Sequence, residues 1–411
     1  MEVIHSHCCG LDVHKDQIVA CLLTPRSGAK PQEEIRRFGT MVADLEDLSD
    51  WLAAKGCLIV ALESTGSFWK PIWNHLEGKV RLILVNPQHM KAIPGRKTDQ
   101  KDCAWIAQLL RHGLLKASFV PDRRQRELRE LTRYRTTLIE ERSAEVNRVQ
   151  KLLEGANIKL GSVVSSIMGK SARAILTELS HGNRDVAALA ALSVGRLRRK
   201  AADLAKALRG ELSAVQMFLL TQQLGHIDQL DEQITALDTQ IAQVLAPFAD
   251  ALALLQTIPG IGQRVAEVIV AELGVDMSQF PTAAHAVAWA GMAPGNHESA
   301  GKRLSHAKRK GNRAMGRALV QAAWATRRTK TFLGAQFQRL ARTRGAKRAA
   351  VAVGHRLLIV AYHVLQEGTA YQELGYRYLE ERNAESRQRW LVRQLEAYGL
   401  AVELRSKAEV A

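Results

Sequence analysis

Residues 8–23 read CCGLDVHKDQIVACLL, two apolar runs on either side of a short polar turn. The spacing predicts a strand over Cys8 to Val13, a turn at His14-Lys15-Asp16 and a second strand over Gln17 to Leu23. Working outward, a third strand is expected at Glu33 to Gly39. Val42, Leu45, Leu48, Trp51 and Leu52 then share one face of a helix over Val42 to Ala54. Leu58 to Leu62 is a short apolar strand ending at Glu63-Ser64-Thr65-Gly66, and Phe68 to Leu76 a short helix. Val80 to Val85 is another buried strand, ending at Asn86-Pro87, and Thr98 opens a helix to about His112.

The resulting order, β-β-β-α-β-α-β-α, is that of an α/β ribonuclease-H-like domain. In that layout the first and fourth strands are neighbours. Asp12 in the first and Glu63 at the end of the fourth can then face one site. Asp99 and Asp102 are three apart on a helix and share a face. Four converging carboxylates repel one another unless cations neutralise them, and hard oxygen ligands of this kind suit Mg²⁺ or Mn²⁺. Two such ions can activate a nucleophile and stabilise a leaving oxygen in phosphoryl transfer. Each acid has a plainer reading: Asp99 and Asp102 as a helix N-terminus, Asp12 as a strand-end residue, Glu63 as a solvated side chain. The joint placement favours metal.

The chain has 411 residues, room for two or three domains, and 58 Lys+Arg against 41 Asp+Glu, a formal charge of +17. That imbalance points to a polyanionic partner, nucleic acid before a membrane surface. No run approaches 18 uncharged apolar residues, so no membrane span is expected. The opening MEVIHSHCCGLDVHKD lacks a basic segment followed by an apolar one, so no secretion signal is expected. Cys8, Cys9, Cys21, Cys57 and Cys103 follow no metal-ligand spacing and read as reduced cytosolic thiols, mostly small buried hydrophobes.

From Asp122 the sequence turns charged and helical. Leu128, Leu131, Leu138, Val149, Leu152 and Leu153 form an apolar seam among charges of both signs, a long amphipathic helix or coiled coil. Arg123, Arg124, Arg126, Arg129, Arg133 and Arg135 could line nucleic acid, although a solvated face accounts for any one of them. Helical segments follow at Ile167 to Leu179, Asp185 to Leu192 and Val194 to Leu208. Phe218 to Val244 is a second long helix, able to pair with the first as an antiparallel hairpin or across a dimer.

Ala251 to Gln256, then IPGIG at Ile258 to Gly262, then Arg264 to Leu273 reads as a helix-hairpin-helix. Gly260 and Gly262 would let backbone N–H groups and a helix N-terminus hold a phosphate; an ordinary Pro-Gly connection is the alternative. Phe280 to Trp289 is expected to be helical. From Asn296 to Arg317 the chain reads NHESAGKRLSHAKRKGNRAMGR. Lys302 to Arg348 holds 15 Lys/Arg and no Asp/Glu, among them Lys302, Arg303, Lys308, Arg309, Lys310, Arg313 and Arg317. Arg313 to Thr326 and Thr331 to Arg342 have apolar faces, so this is a folded basic domain suited to phosphate, with Trp289, Trp324 and Phe332 expected in its core. Ser299 is a candidate nucleophile in a loop ahead of the basic run. A turn role, and Ser305 as competitor, remain open.

Taken together, GLDVHKD, ALESTGSFWKPIW, VNPQHMKAIPGRKTDQKDCAWIAQLL, IPGIG and AWAGMAPGNHESAGKR…RKGNRAMGRALVQAAW resemble the DEDD-type insertion-sequence transposases from about Cys8 to Leu365. The resemblance implies a metal-binding tetrad of Asp12, Glu63, Asp99 and Asp102. It implies that Ser299 forms a covalent phosphoserine link to DNA, in Glu298-Ser299-Ala300-Gly301 where many members have Ser-Ser-Gly or Ser-Gly-Gly. It also implies donor and target DNA, an element-encoded guide RNA and a homo-oligomer, dimer to tetramer, acting in the cytoplasm without a membrane. The expected domains are 1–118 (RuvC-like), 119–250 (a helical, coiled-coil connector), 251–366 (the α-helical transposase domain with Ser299) and 367–411 (a helical appendage). The rival readings are a metal-dependent junction-type endonuclease, in which Ser299 is structural, and a non-catalytic nucleic-acid-binding protein.

Overall fold

A computed structural model describes residues 2–26, 30–64, 66–87, 102–293, 297–299, 302–305, 311–382 and 384–402. The chain divides into two compact units, Met1–Arg123 and Arg124–Ala411.

The first unit is a five-stranded mixed sheet with helices on both faces. In chain order its elements are β1 (Cys8–Val13), β2 (Ile18–Thr24), β3 (Gln32–Phe38), α1 (Val42–Ala54), β4 (Ile59–Glu63), α2 (Trp69–Leu76), β5 (Arg81–Val85) and α3 (Asp102–Arg111). The strand order is β3-β2-β1-β4-β5. β1 pairs antiparallel with β2, and β2 with β3; β1–β4 and β4–β5 are parallel. β3 is an edge strand, and its QEEIRRF sequence leaves all but Ile35 and Phe38 polar, which discourages further pairing.

Period-two alternation sorts the side chains of β1 between two layers. Cys9, Leu11 and Val13 join Leu48, Leu52, Ile72 and Leu76 of α1 and α2. Cys8 joins Cys21, Ile59 and Ala61 under Cys103, Ile106 and Ala107 of α3. Gly10 belongs to the α3 side: a Cβ there would lie 2.3 Å from the Cys103 carbonyl oxygen and 2.5 Å from the Ala107 nitrogen. Only a bare residue lets the helix lie this close to the strand. Gly10→Ala is therefore expected to lower stability by about 1–3 kcal/mol through forced separation of α3 from β1. Urea unfolding measures it, and an unchanged midpoint would show that the helix does not lean on Gly10.

All five cysteines are free and buried, as their sequence context predicts. Burial pushes the Cys8 thiol up to about 12 and that of Cys57 to about 11. Cys9 is raised by burial, and Cys21 by its hydrogen bond with Cys103 and then by burial. These four thiols stay protonated and pack as small apolar residues.

The second unit begins with α4 (Arg123–Gly155), whose first residue is the boundary residue of the first unit. After a helical turn at Leu160–Val163 come α5 (Lys170–Ser180), α6 (Val186–Ala191), α7 (Ala201–Ala207) and α8 (Ala214–Leu245). α4 and α8 pair with each other inside the chain as an antiparallel hairpin. Arg135 meets Asp238 and Arg142 meets Asp231. Leu138 lies with Leu230 and Ile234, and Val149 and Leu153 share a cluster with Leu220 and Leu224. The segment expected as one helix from Val194 to Leu208 is instead a 3-10 stretch, Gly195–Lys200, followed by α7; Gly195 enters it at φ +59°.

The remainder comprises α9 (Ala249–Gln256), α10 (Gln263–Leu273), α11 (Ala283–Trp289), β6 (His297–Ser299), β7 (Lys302–Ser305), α12 (Arg313–Thr326), α13 (Phe332–Arg344), α14 (Ala346–Glu367), α15 (Tyr378–Arg382) and α16 (Ala384–Ala397). The helix expected from Phe280 starts later because Pro281 follows a 3-10 turn at Met277–Gln279. Trp289 and Phe332 are only partly buried and Trp324 is 39% exposed, so the expectation that these three form the core is corrected. The buried aromatics of this part, among the described residues, are Phe280, Phe337 and Tyr362, the last donating its hydroxyl to the Phe280 carbonyl at 2.8 Å. α14 is the one helix, among the described residues, long and apolar enough to cross a membrane. Its Val353, Leu357, Leu358 and Ala361 are buried within the unit, which is how a core helix passes that test.

Candidate functional site

Asp12 is the only residue of β1 that is not fully buried; its carboxylate is 15% exposed and its Oδ2 lies 3.1 Å from Nε2 of His14. Glu63 is the last residue of β4. Leu11 stands opposite Leu62 across the parallel pair, so Asp12 and Glu63 are the next positions on two neighbouring strands. By alternation both belong to the α3 side, with Gly10 and Ala61. Asp102 is the first residue of α3. The Cys103 thiol beside Asp102 is lowered, chiefly by its hydrogen bond with Cys21, and the charge of nearby Asp12 is among the influences that oppose this. Three of the four predicted acids thus lie on one side of the sheet, at the end where α3 begins. Asp99 lies outside the described residues.

The chemistry of this donor set fits a hard divalent cation, since every candidate ligand is a carboxylate oxygen. Among the described residues, however, no three His, Cys, Asp or Glu side chains are gathered closely enough to hold a metal ion. Glu63 and Asp102 each have a partner of their own.

Ser299 is the last residue of β6, not a loop residue. β6 and β7 form an antiparallel hairpin in which Ser299 stands opposite Lys302 and Glu298 opposite Arg303, with an irregularity between His297 and Glu298. The expected loop hid this hairpin because its strands are polar and lack the apolar alternation that marks strands in sequence. Lys308, Arg309 and Lys310 lie outside the described residues. Arg313 and Arg317 stand in the first turns of α12, and Arg317 Nη1 donates to Glu140 Oε1 at 2.7 Å.

Gly260 and Gly262 lie in the turn between α9 and α10 and have different surroundings. Gly260 has φ +91°, and a Cβ there would lie 2.6 Å from both the Ala322 carbonyl oxygen and Thr326 Cγ2. Packing against α12 thus accounts for this glycine. Gly262 is the exposed N-cap of α10, and a Cβ there would meet nothing.

The arginines of α4 include three committed to buried acids. Arg133 makes a two-pronged contact to Glu272 at 2.7 and 2.8 Å, and Arg129 Nε lies 3.2 Å from the same carboxylate. Arg135 reaches Glu267 at 2.5 Å and Asp238 at 2.8 Å. Burial is the largest influence on Arg129 and lowers it to about 10, against the raising effect of Glu272. These three side chains brace α10 against α4. Glu267 and Glu272 escaped sequence reading: in QRVAEVIVAEL they pass for solvated acids of an amphipathic helix.

A sheet presenting Asp12 and Glu63 side by side, in one chain with a strongly basic helical unit, is the composition of a DNA-processing enzyme. Residues 9–158 match the model of the DEDD transposases of IS110 elements, and residues 252–338 that of the IS116/IS110/IS902 transposase family. The chain belongs to this family of insertion-element transposases. It is 28% identical, over 88% of its length and 95% of the relative's, to the "Insertion element IS110 uncharacterized 43.6 kDa protein" of Streptomyces coelicolor. It is 26% identical, over 76% and 86% respectively, to a "Probable family 20 transposase" of Pseudomonas aeruginosa. With the "Insertion element IS116 uncharacterized 44.8 kDa protein" of Streptomyces clavuligerus the identity is 29%, over 52% and 60%.

Proposed function

We propose that this transposase excises and inserts its own element by Mg²⁺-dependent strand cleavage and exchange, through a covalent phosphoserine at Ser299, guided by a structured RNA encoded with the element. The observation that carries the reading is the placement of Asp12 and Glu63 at successive register positions on parallel neighbours, on the side where α3 begins with Asp102. The strand order β3-β2-β1-β4-β5 supports a ribonuclease-H-like assignment of the first unit. The α9–turn–α10 unit, with its open Gly262 cap, supports a helix-hairpin-helix that holds a phosphate. The finer domains are 1–118, 119–250, 251–366 and 367–411, the working state is a homo-oligomer on donor and target DNA, and the compartment is the cytoplasm.

Asp12, Glu63, Asp99 and Asp102 would hold Mg²⁺ or Mn²⁺, which when bound supplies Lewis-acid stabilisation of charge on phosphoryl oxygens. Ser299 supplies the nucleophile. Its Oγ forms a bond to phosphorus as the strand's P–O bond breaks; the hydroxyl gives up its proton and the leaving oxygen gains one. The phosphoserine conserves the phosphodiester bond energy, so a strand hydroxyl can reverse the step on a new partner without ATP. Lys302, Arg303, Lys308, Arg309, Lys310 and Arg313 bring cations to the DNA backbone in a stretch with no acidic residue, so affinity falls steeply with salt.

The test is a denaturing gel of the purified chain with its RNA and labelled donor and target duplexes in Mg²⁺, beside Ser299→Ala. A protease-sensitive protein–DNA adduct is expected from the unmodified chain and none from Ser299→Ala. Cleavage without adduct, unaffected by Ser299→Ala, would reduce the protein to a metal-dependent junction endonuclease. Binding with no cleavage would leave a non-catalytic nucleic-acid-binding protein.

A further inference from the structure

The segment that carries the serine hairpin leaves and re-enters the second unit at one point. Gly291, at φ +67°, ends α11, and Gly311 precedes α12. A Cβ on Gly311 would lie 2.3 Å from the Gly291 nitrogen and 2.6 Å from the Ala290 carbonyl carbon, so the two backbones touch. On the outgoing side Met292 is buried, and its carbonyl lies 3.3 Å from Nδ1 of His355 on α14. On the returning side Asn312 does two things at once. Its Oδ1 accepts from the Met315 N–H, capping α12, and its Nδ2 donates to Glu272 Oε2 at 2.6 Å.

Glu272 is fully buried, and it is the carboxylate that Arg129 and Arg133 hold from α4. Arg129 also donates to the backbone carbonyls of Ala271 and Glu272 and lies over the Trp289 ring, 5.6 Å from its centroid. One buried acid thus joins α4, α10 and the base of the hairpin segment, beside the helix α11 from which that segment departs. A charge buried this deeply and paired on three sides has one arrangement that satisfies all its partners.

We propose that Glu272, acting through Asn312, is the positioning device of the serine hairpin: it fixes the base of the 292–310 segment so that β6 and Ser299 are presented in one orientation. The assignment rests on the serine reading above. Misplacing a nucleophile by about 1 Å can cost on the order of 10²-fold in rate, so the link acts on the chemical step and not on DNA affinity.

The test uses the full chain with Asn312→Ser and Asn312→Asp. Both replacements keep a side-chain oxygen for the Met315 N–H. Serine is too short to reach Glu272, and aspartate sets an acceptor against an acceptor. Hydrogen exchange is followed at the 297–305 amides and across α12, and adduct formation on labelled duplex with RNA is timed alongside. Both variants are expected to exchange about tenfold faster in the hairpin while α12 stays within about twofold of the unmodified chain. Adduct formation is expected to slow by about tenfold or more, with DNA affinity unchanged within about twofold. Hairpin exchange equal to the unmodified chain in both variants overturns the proposal. If α12 also loosens in Asn312→Ser, the cap has failed and Asn312→Asp decides. If the unmodified chain gives no serine-dependent adduct, the serine reading fails while the exchange result still decides the link.

Discussion

Asp12→Asn is expected to remove strand cleavage by on the order of 10³-fold while leaving the fold and DNA binding intact. The replacement keeps the shape of the side chain and a partner for His14, and Asp12 is only partly buried, so little packing is lost. What it removes is a full negative charge at the position next to Glu63 on the parallel strand. A carboxylate that helps hold a catalytic cation controls several kcal/mol of charge stabilisation in the transition state, and each 1.4 kcal/mol is a factor of about ten in rate. Labelled duplex in Mg²⁺, with RNA, reports cleavage; a filter-binding titration reports affinity. Cleavage within about threefold of the unmodified chain would remove Asp12 from the site and leave its exposure on β1 without a role. Unfolding of the variant, read from the urea midpoint, would instead make Asp12 a structural residue.

The half of the chain with the strongest periodicity was the more legible. Cys8–Val13 and Val42–Ala54 were readable to the residue because apolar alternation and a single apolar helix face leave little freedom. The neighbourhood of Asp12 and Glu63 followed from strand order alone. Pairings between distant residues were not legible. Nothing in the run RRQRELRELTRYR distinguishes Arg133 and Arg135, which meet acids more than 130 positions away, from exposed Arg124. Nor can sequence show that α12 occupies the space a side chain at Gly260 would need. The β6–β7 hairpin was invisible for a different reason: its strands are three and four residues long and polar, below the length at which alternation means anything.

Arg135 separates the two roles an arginine in this chain can have. Its side chain is 3% exposed and bridges Glu267, itself 5% exposed, and Asp238 on α8. Arg135→Ala leaves the Glu267 carboxylate buried without its cation, the situation in which removing one member of a buried pair costs about 3–5 kcal/mol. The methylene stem disappears as well, so lost packing adds to the cost of the unpaired charge. Arg124→Ala, on the exposed side of the same helix, is expected to change stability by no more than about 0.5 kcal/mol. The slope of DNA affinity against salt provides the second axis, since removing a cation that neutralises one phosphate lowers it by about one unit. Arg135→Ala should shift the urea midpoint and leave that slope alone. An unchanged midpoint with a reduced slope would mean that Arg135 faces phosphate and that α4 is a DNA-binding surface along its whole length. With the midpoint shifted and the slope intact, α4 is a brace whose inward arginines hold α10 in place, and the nucleic-acid binding of this unit falls to the cations of Lys302 to Arg348.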